Sequence, residues 1–577
     1  MVLRVFFLCL LLCLAHPLNA LNCCVNKAPR YYINEYVDLQ GETLILEDNV
    51  ELCFGSSGKL FNGFVEGHNA SIAGAKKNCF AVVLKGTWNT KTIKDEWFDS
   101  AVLTDNQIIK NINTLQSDRI KQDIWLTNHH ELILDENNDT GLTLASNSTV
   151  HFNSTLKIKG NDLKRYSIVS INRKENVNII GGEVIGDVGK HRYVEGSTSE
   201  WGFGVYIYKS KNVEITGMKV SKCTGDAFYI SGPNETDINL YGNASKQVVL
   251  RNCVMDANRR EGISLVHAED VLIEDCKAMN MGQIEYTAPS FGLNIEPNKN
   301  NSVRNVIVRR FVTENTKADC AASSGGYQSN ATVSNRSNIL FVDCKFDKAM
   351  AIMSGGVVVE NSEMPGLVIY PREMPDNPVT LKRCKIGGWG LLVSAQRATP
   401  FDKGRVPSYS FIKCEIAPTT VNKSYPALIW GTDVAKLSAV NISFDGCKID
   451  LLKGRRNNDL VVSGFNVRGE FKRCTIDASD YPLLTRGCTF DSCQIYCKYV
   501  KVTSLPNQSN VLRRCTIVTK DANTVLTVDR SSKGRTCDRL VIEGCIFKNR
   551  KAKQFVLPEG NWASGIVVKG NRFRKSE

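Results

Sequence analysis

The feature that most constrains this chain is a short motif that returns from Val177 to the C-terminus. An alternating apolar run is followed by two or three polar residues, then one of middling size, then another apolar position. VEITGMKV, VVLRNCVM, VLIEDCKA, VTLKRCKI and LVIEGCIF are examples. The marker position falls at Gly182, Met218, Cys253, Cys276, Phe311, Cys344, Ser362, Cys384, Cys414, Cys447, Cys474, Cys493, Cys515 and Cys545, in steps of 18 to 36 residues. Between markers lie second apolar runs such as GVYIY, AFYIS, GISLV and GLNIE. No long 3.6-residue apolar period interrupts them, so the units are strands and turns. Units this short cannot bury a face alone and must stack on one another. The economical solution is an all-β, right-handed, single-stranded parallel β-helix, one unit to a coil.

This reading gives the cysteines a place. The chain has 21 of them in 577 residues, and ten occupy the marker position. Stacked coils sit about 4.8 Å apart with their Cβ atoms pointing the same way. Disulfides need converging Cβ atoms at about 3.8 Å. A buried ladder of free thiols is therefore expected, each behaving as a small hydrophobe. A zinc site is not expected, because no CxxC pair is matched by a second pair or by histidines. Cys23 and Cys24, with Cys53 and Cys79, remain available for disulfides near the N-terminus.

Four segments follow. Residues 1–20 read as a secretory signal, with Arg4 before an apolar run too short to span a bilayer. Export to the periplasm or the exterior is the expectation, and Cys23 leaves lipoprotein anchoring open. Residues 21–95 read as an N-terminal β segment. Residues 96–160 read as a helical cap with entry strands: Ile108, Ile109, Ile112 and Leu115 lie at helical spacing after Asp105 as N-cap. Residues 161–577 are the coils. His129–His130 reads as a loop feature, and the sequons at Asn69, Asn147 and Asn234 as chance. No later stretch reaches the 18 apolar residues of a membrane span. The charge is +13, from 72 Lys and Arg against 59 Asp and Glu. Without a compact basic run or RNA-binding motif, it points to an anionic glycan rather than nucleic acid. A monomer is expected.

The helix followed by strands resembles the entry module of the pectate lyase-like superfamily, where a helix caps the open end. The stretches DLQGETLILEDNVEL and NGFVEG resemble secreted β-helix proteins of Bacteroidota. NRREGISLVHAEDVLIEDC with FGLNIEPN is similar to a block in right-handed β-helix proteins that include tailspike-like chains. The resemblance implies a secreted carbohydrate-active enzyme, either a polysaccharide lyase or a polygalacturonase-like hydrolase.

Stacked coils align equivalent residues. FGVYIY (203–208), DAFYIS (226–231), EGISLV (261–266) and FGLNIE (291–296) place Val205, Phe228, Ile263 and Leu293 at one inward position. Ile207, Ile230, Leu265 and Ile295 take the next. Tyr206, Tyr229, Ser264 and Asn294 face outward between them. The strand entrances carry Phe203, Asp226, Glu261 and Phe291, so Asp226 and Glu261 are expected on neighbouring coils. Two adjacent carboxylates shift each other's ionisation and suit acid–base work or a cation. They also suit capping turns, with Arg260 pairing them.

Asp226 in TGDAFYI resembles the acidic strand entrance of polygalacturonases. The family's adjacent Asp pair, His-Gly and Arg-x-Lys are not reproduced, since Glu261 stands in the place of the histidine and Leu293 and Asn294 in that of Arg-x-Lys. The leading expectation is β-elimination on a uronic acid polysaccharide. Asp226, Arg260, Glu261 and His267 are the catalytic candidates, with Lys222 a further possible base. Lys222, Trp201, Tyr229, Arg259 and Asn294 are the substrate-binding candidates, and Asp226, Glu261 and Glu296 the ligands a Ca²⁺ ion would use. Hydrolysis by Asp226 and Glu261 is the second expectation, and a non-catalytic glycan-binding β-helix the third.

Overall fold

The computed structural model describes residues 28–233, 243–297, 301–324, 338–370, 378–394, 408–418, 427–432, 440–451, 461–462, 467–479, 482–485, 487–503, 509–521, 525–529, 539–550 and 565–575. The expected signal, Cys23–Cys24 and most of the 232–245 insertion, with its Asn234 sequon, lie outside the described residues. The described chain is a right-handed parallel β-helix: every strand pairing between coils is parallel. It divides into two compact units, Met1–Ser231 with Ser245–Arg260, and Gly232–Ala244 with Glu261–Glu577.

The first unit begins with a six-stranded parallel sheet spanning Arg30–Ile33 to Phe80–Trp88. The helix Asp105–Leu115 follows, with Ile108, Ile109, Ile112 and Leu115 buried as the spacing predicts. Its N-cap is Thr104, one residue before the expected Asp105. Thr104 Oγ1 accepts from the Gln107 N–H while the Gln107 side chain accepts from the Thr104 N–H, a reciprocal capping box. Buried Asn111 fixes the helix to the strand Phe80–Trp88, donating to Val82 O at 2.9 Å and accepting from Leu84 N at 2.8 Å.

Asp105 is thereby freed for another task. It accepts from His130 Nδ1 at 2.8 Å, and Asp95 lies 3.5 Å from Nε2. His130 is a buried strand residue, not the loop feature expected from sequence, because it joins the start of the helix to the first coils. Burial alone would lower its pKa, but the two flanking carboxylates of Asp95 and Asp105 outweigh burial and raise it above the usual imidazole value. The sign follows. The stabilisation is fully present below about pH 6.5 and is lost as pH rises through the folded value. The melting temperature of the wild type should fall more steeply than that of His130→Gln from pH 6 to pH 8; parallel slopes would remove this role.

Further coils of the first unit stack Thr140–Thr143, Arg165–Asn172, Trp201–Tyr208 and Phe228–Ser231 in parallel. Their turns use asparagine in the left-handed region: Asn147, Asn176 and Asn212 have φ of 62°, 58° and 54°. Asn212 Nδ2 donates to Asn176 Oδ1 at 2.8 Å, and Asn176 Nδ2 to Asn147 Oδ1 at 2.9 Å. Asparagine tolerates this backbone better than other L-residues with a Cβ, so the sequon at Asn147 coincides with a structural turn.

In the second unit the marker explains itself. The residue before it bends the chain with positive φ: Asp275 (55°), Asp343 (56°), Lys413 (53°), Arg473 (52°), Arg514 (52°) and Gly544 (65°). Side chains of some bend residues pair outward with the preceding coil, as where Arg514 Nε donates to Asp491 at 2.9 Å. The marker side chain then enters the core. Cys474 Sγ donates to Lys472 O two residues back (3.2 Å) and to Phe444 O of the previous coil (3.5 Å). Cys515 repeats this with Arg513 O and Phe490 O. All ten marker cysteines are buried, and they, Cys53 and Cys79 are free thiols. Burial pushes the ladder's Cys344 up to about 11. A thiolate reagent should therefore spare the ladder in the native protein and reach it after denaturation. Rapid native labelling of Cys344 would contradict the ladder.

Beside the ladder runs a column of phenylalanines. Phe411, Phe444, Phe471 and Phe490 stack face to face at 4.8, 4.7 and 4.8 Å between centroids, tilted 17°, 6° and 10°, and all are fully buried.

Candidate active site

Within the first unit the expected alignment holds. Val205 pairs with Phe228, Tyr206 with Tyr229 and Ile207 with Ile230. The Gly204 N–H donates to Asp226 O at 3.0 Å, so Phe203 and Asp226 share the strand entrance. Asp226 is fully buried, and Arg260 Nη1 spans both its oxygens at 3.0 and 3.1 Å. Arg259 is committed too: its Nη1 donates to Thr198 O at 2.8 Å and to Ser199 O at 3.3 Å, and its guanidinium lies 4.5 Å from the Tyr193 ring centre. It clasps the 193–199 loop. Lys222 is exposed on a left-handed turn. Trp201 is 53% exposed. Tyr229 is half-buried, and burial, reinforced by Asp226, pushes its phenol up to about 12.

The second unit also keeps the alignment, pairing Ile263 with Leu293, Ser264 with Asn294 and Leu265 with Ile295. The next coil adds Ser323 opposite Asn294. Ser264, Asn294 and Ser323 leave the hydrophobic core, yet all three are buried. They surround Glu261. Its carboxylate accepts a hydrogen bond from Ser264 Oγ and one from Asn294 Nδ2 at 2.7 Å. The same amide nitrogen donates to Glu296 at 2.8 Å, and Ser323 Oγ donates to Asn294 Oδ1. Two carboxylate oxygens held at 2.7 and 2.8 Å by one nitrogen lie within 5.5 Å of each other. Glu261 is fully buried and Glu296 half-buried, so the pair has an inner and an outer member. His267 is buried with Nδ1 3.3 Å from Pro233 O.

The expected residues thus fall into two sets. Asp226, Arg260, Arg259, Lys222, Trp201 and Tyr229 belong to the first unit; Glu261, Asn294, Glu296 and His267 belong to the second. Asn294 sits at the expected position but as the bridge between two carboxylates, where an outward substrate-binding side chain was expected. Ser264 and Ser323 carry no role in the sequence reading, and only the register of the strand could have signalled them. The sequence reading also missed a buried network in the first unit. There Asp187 accepts from Tyr166 Oη at 2.9 Å and meets His191 Nδ1 at 2.8 Å.

Of the carboxylates expected to hold Ca²⁺, Asp226 accepts from Arg260, Glu261 from Ser264 and Asn294, and Glu296 from Asn294. Among the described residues no three His, Cys, Asp or Glu side chains are grouped to hold a metal.

No family model matches the chain. The uncharacterized protein YclG of Bacillus subtilis strain 168 is 35% identical over 144 residues, 24% of each chain. The SPbeta prophage-derived uncharacterized protein YorA of the same strain is 26% identical over 279 residues, 47% of this chain. The matches span 24% and 39% of those relatives' own lengths. Among solved structures, the tailspike protein of E. coli bacteriophage HK620, in complex with a pentasaccharide, gives a TM-score of 0.39 at 13% identity, covering 74% of this chain and 78% of that one. The tailspike gp49 of Acinetobacter baumannii bacteriophage Fri1, a capsular polysaccharide depolymerase, gives 0.33 at 12%, covering 70% and 60%. The catalytic domain of a GH87 α-1,3-glucanase, in complex with nigerose, gives 0.33 at 11%, covering 77% and 68%. Values of this size say nothing about chemistry.

Proposed function

We propose that this chain is a carbohydrate-active enzyme that hydrolyses glycosidic bonds, with Glu261 and Glu296 as its carboxylate pair. The observation that carries the reading is the single Asn294 amide holding both carboxylates, one buried and one half-buried. Glycoside hydrolysis needs two such groups flanking the scissile bond. Glu296, the outer member, gives its proton to the glycosidic oxygen as the C1–O bond breaks and its electron pair goes to the leaving sugar. With the two carboxylates this close, Glu261 attacks C1 as the glycosidic bond breaks and forms a glycosyl ester; Glu296, now ionised, then takes the proton of the water that adds to C1, and the C1–O bond to Glu261 breaks to return its carboxylate. Ser264 and Asn294 hold the Glu261 carboxylate in place, and Ser323 orients the Asn294 amide.

β-Elimination is the weaker reading, because two of its candidate bases have other commitments and the third belongs to the first unit rather than to that of Glu261 and Glu296. Arg260 is paired with Asp226, His267 is buried against Pro233 O, and Lys222 is exposed on a turn. The test is a panel of neutral and acidic polysaccharides, assayed for new reducing ends and for the ultraviolet absorbance of unsaturated uronic acids. Reducing ends without that absorbance support hydrolysis. Absorbance rising with the reducing ends would return the site to elimination, and retention of a glycan with no product would leave a binding protein.

A further inference from the structure

Most arginines along the coils are consumed by ion pairs between neighbouring coils, such as Arg251 with Glu214 and Arg304 with Glu269. Arg165 is different. It is exposed, and among the described residues it has no carboxylate partner. Its guanidinium lies 5.6 Å from the Trp201 ring centre and 5.7 Å from that of Tyr206, whose hydroxyl it meets at 3.4 Å. Strand register places this by necessity, since Arg165 pairs directly with Trp201.

The rings around it form a platform. Phe203 stacks on Tyr229 at 4.4 Å and 21°, and Tyr206 on Tyr229 at 5.9 Å and 13°. Tyr206 also stacks on Tyr208 at 5.5 Å and 14°. Tyr206, Tyr208 and Tyr229 point away from the hydrophobic core, which takes Val205, Ile207, Phe228 and Ile230 instead. A row of near-parallel rings on the outer face of a sheet leaves apolar surface in water. Within the row the rings cover one another's faces, while Trp201, 53% exposed and stacked on no other described ring, offers a negative face that suits the C–H face of a sugar ring. A guanidinium fixed over the rings adds a planar donor fork that matches a carboxylate.

We propose that Arg165, Trp201, Tyr206, Tyr208 and Tyr229 form a binding site for a pyranose that carries a carboxylate, with the buried Phe203 backing Tyr229. The sugar stacks on Trp201 and its carboxylate meets Arg165. The burial-raised phenol of Tyr229 stays a neutral hydroxyl at physiological pH. The site lies in the first unit and does not depend on hydrolysis by Glu261 and Glu296. Loss of turnover with binding retained leaves it standing, and loss of binding removes it whatever the turnover.

The experiment is affinity electrophoresis of the full chain in gels containing polygalacturonate, dextran sulfate or dextran. Polygalacturonate should retard the wild type most. Arg165→Gln, which leaves the rings in place, should weaken that retardation about tenfold or more, the scale of one charge-assisted hydrogen bond. Trp201→Ala should weaken it without changing thermal stability, because Trp201 is exposed. Equal retardation of Arg165→Gln and wild type would overturn the proposal. So would equal retardation by neutral dextran, retardation by dextran sulfate alone, or no retardation by polygalacturonate.

Discussion

Replacing Glu296 by glutamine should lower turnover of the hydrolysed glycan by about 10²–10⁴-fold, the usual contribution of a positioned general acid or base. The change keeps the shape of the side chain and its contact with Asn294, so the melting temperature should move little. Glu261→Gln should be comparably damaging to turnover. It differs in structure, because Glu261 is buried and accepts from Ser264 and Asn294. An amide there can keep one of those hydrogen bonds but brings two donors of its own, which costs about 1–3 kcal/mol if one is left unpaired. Steady-state kinetics with thermal melts separates the two. A Glu296→Gln protein that turns over normally would take Glu296 out of the chemistry. Asp226→Asn tests a different role, since Asp226 is bound to Arg260 in the first unit. It should cost stability more than it costs turnover.

The largest effect on stability should come from the phenylalanine column. Phe471 is fully buried between Phe444 and Phe490, with ring centres 4.7 and 4.8 Å away. Phe471→Ala removes its apolar surface, leaves a cavity and breaks two stacking contacts, for a loss of about 3–5 kcal/mol. Repeat architectures add their stability from neighbour to neighbour. The loss should therefore appear first in the coils around Phe471, as faster hydrogen exchange in Val440–Asp445, Val467–Lys472 and Thr489–Asp491. Denaturant unfolding followed by hydrogen exchange checks this, and a loss below about 1 kcal/mol would contradict the packing described.

Much of this was legible in the sequence. The marker residues fixed the coil register, and that register put Tyr206 opposite Tyr229 and Ser264 opposite Asn294 correctly. Two kinds of feature were not legible. Burial on the outward face depends on what covers a strand, so Asn294 read as an exposed binding residue when it is a buried bridge. Backbone conformation at the bends was hidden as well, because Lys413, Arg473 and Arg514 are poor left-handed residues by type, and only stacking between coils holds them there. The cap of the helix slipped by one residue because Thr104 and Asp105 are both good caps, and His130 decides between them by recruiting Asp105. Arg165 escaped notice because it precedes the first recognisable repeat at Val177, although RYSIVSIN has the same alternation as the strand beside it.

The central claim is that the Glu261–Glu296 pair adds water across a glycosidic bond. Digestion in water enriched in oxygen-18, followed by mass spectrometry of the fragments, tests it most directly. Hydrolysis predicts one labelled oxygen in the cleaved product of the wild type, and from Glu296→Gln the same product formed about 10²–10⁴-fold more slowly. Unlabelled fragments, lighter by one water and carrying an unsaturated sugar at the new non-reducing end, would contradict it.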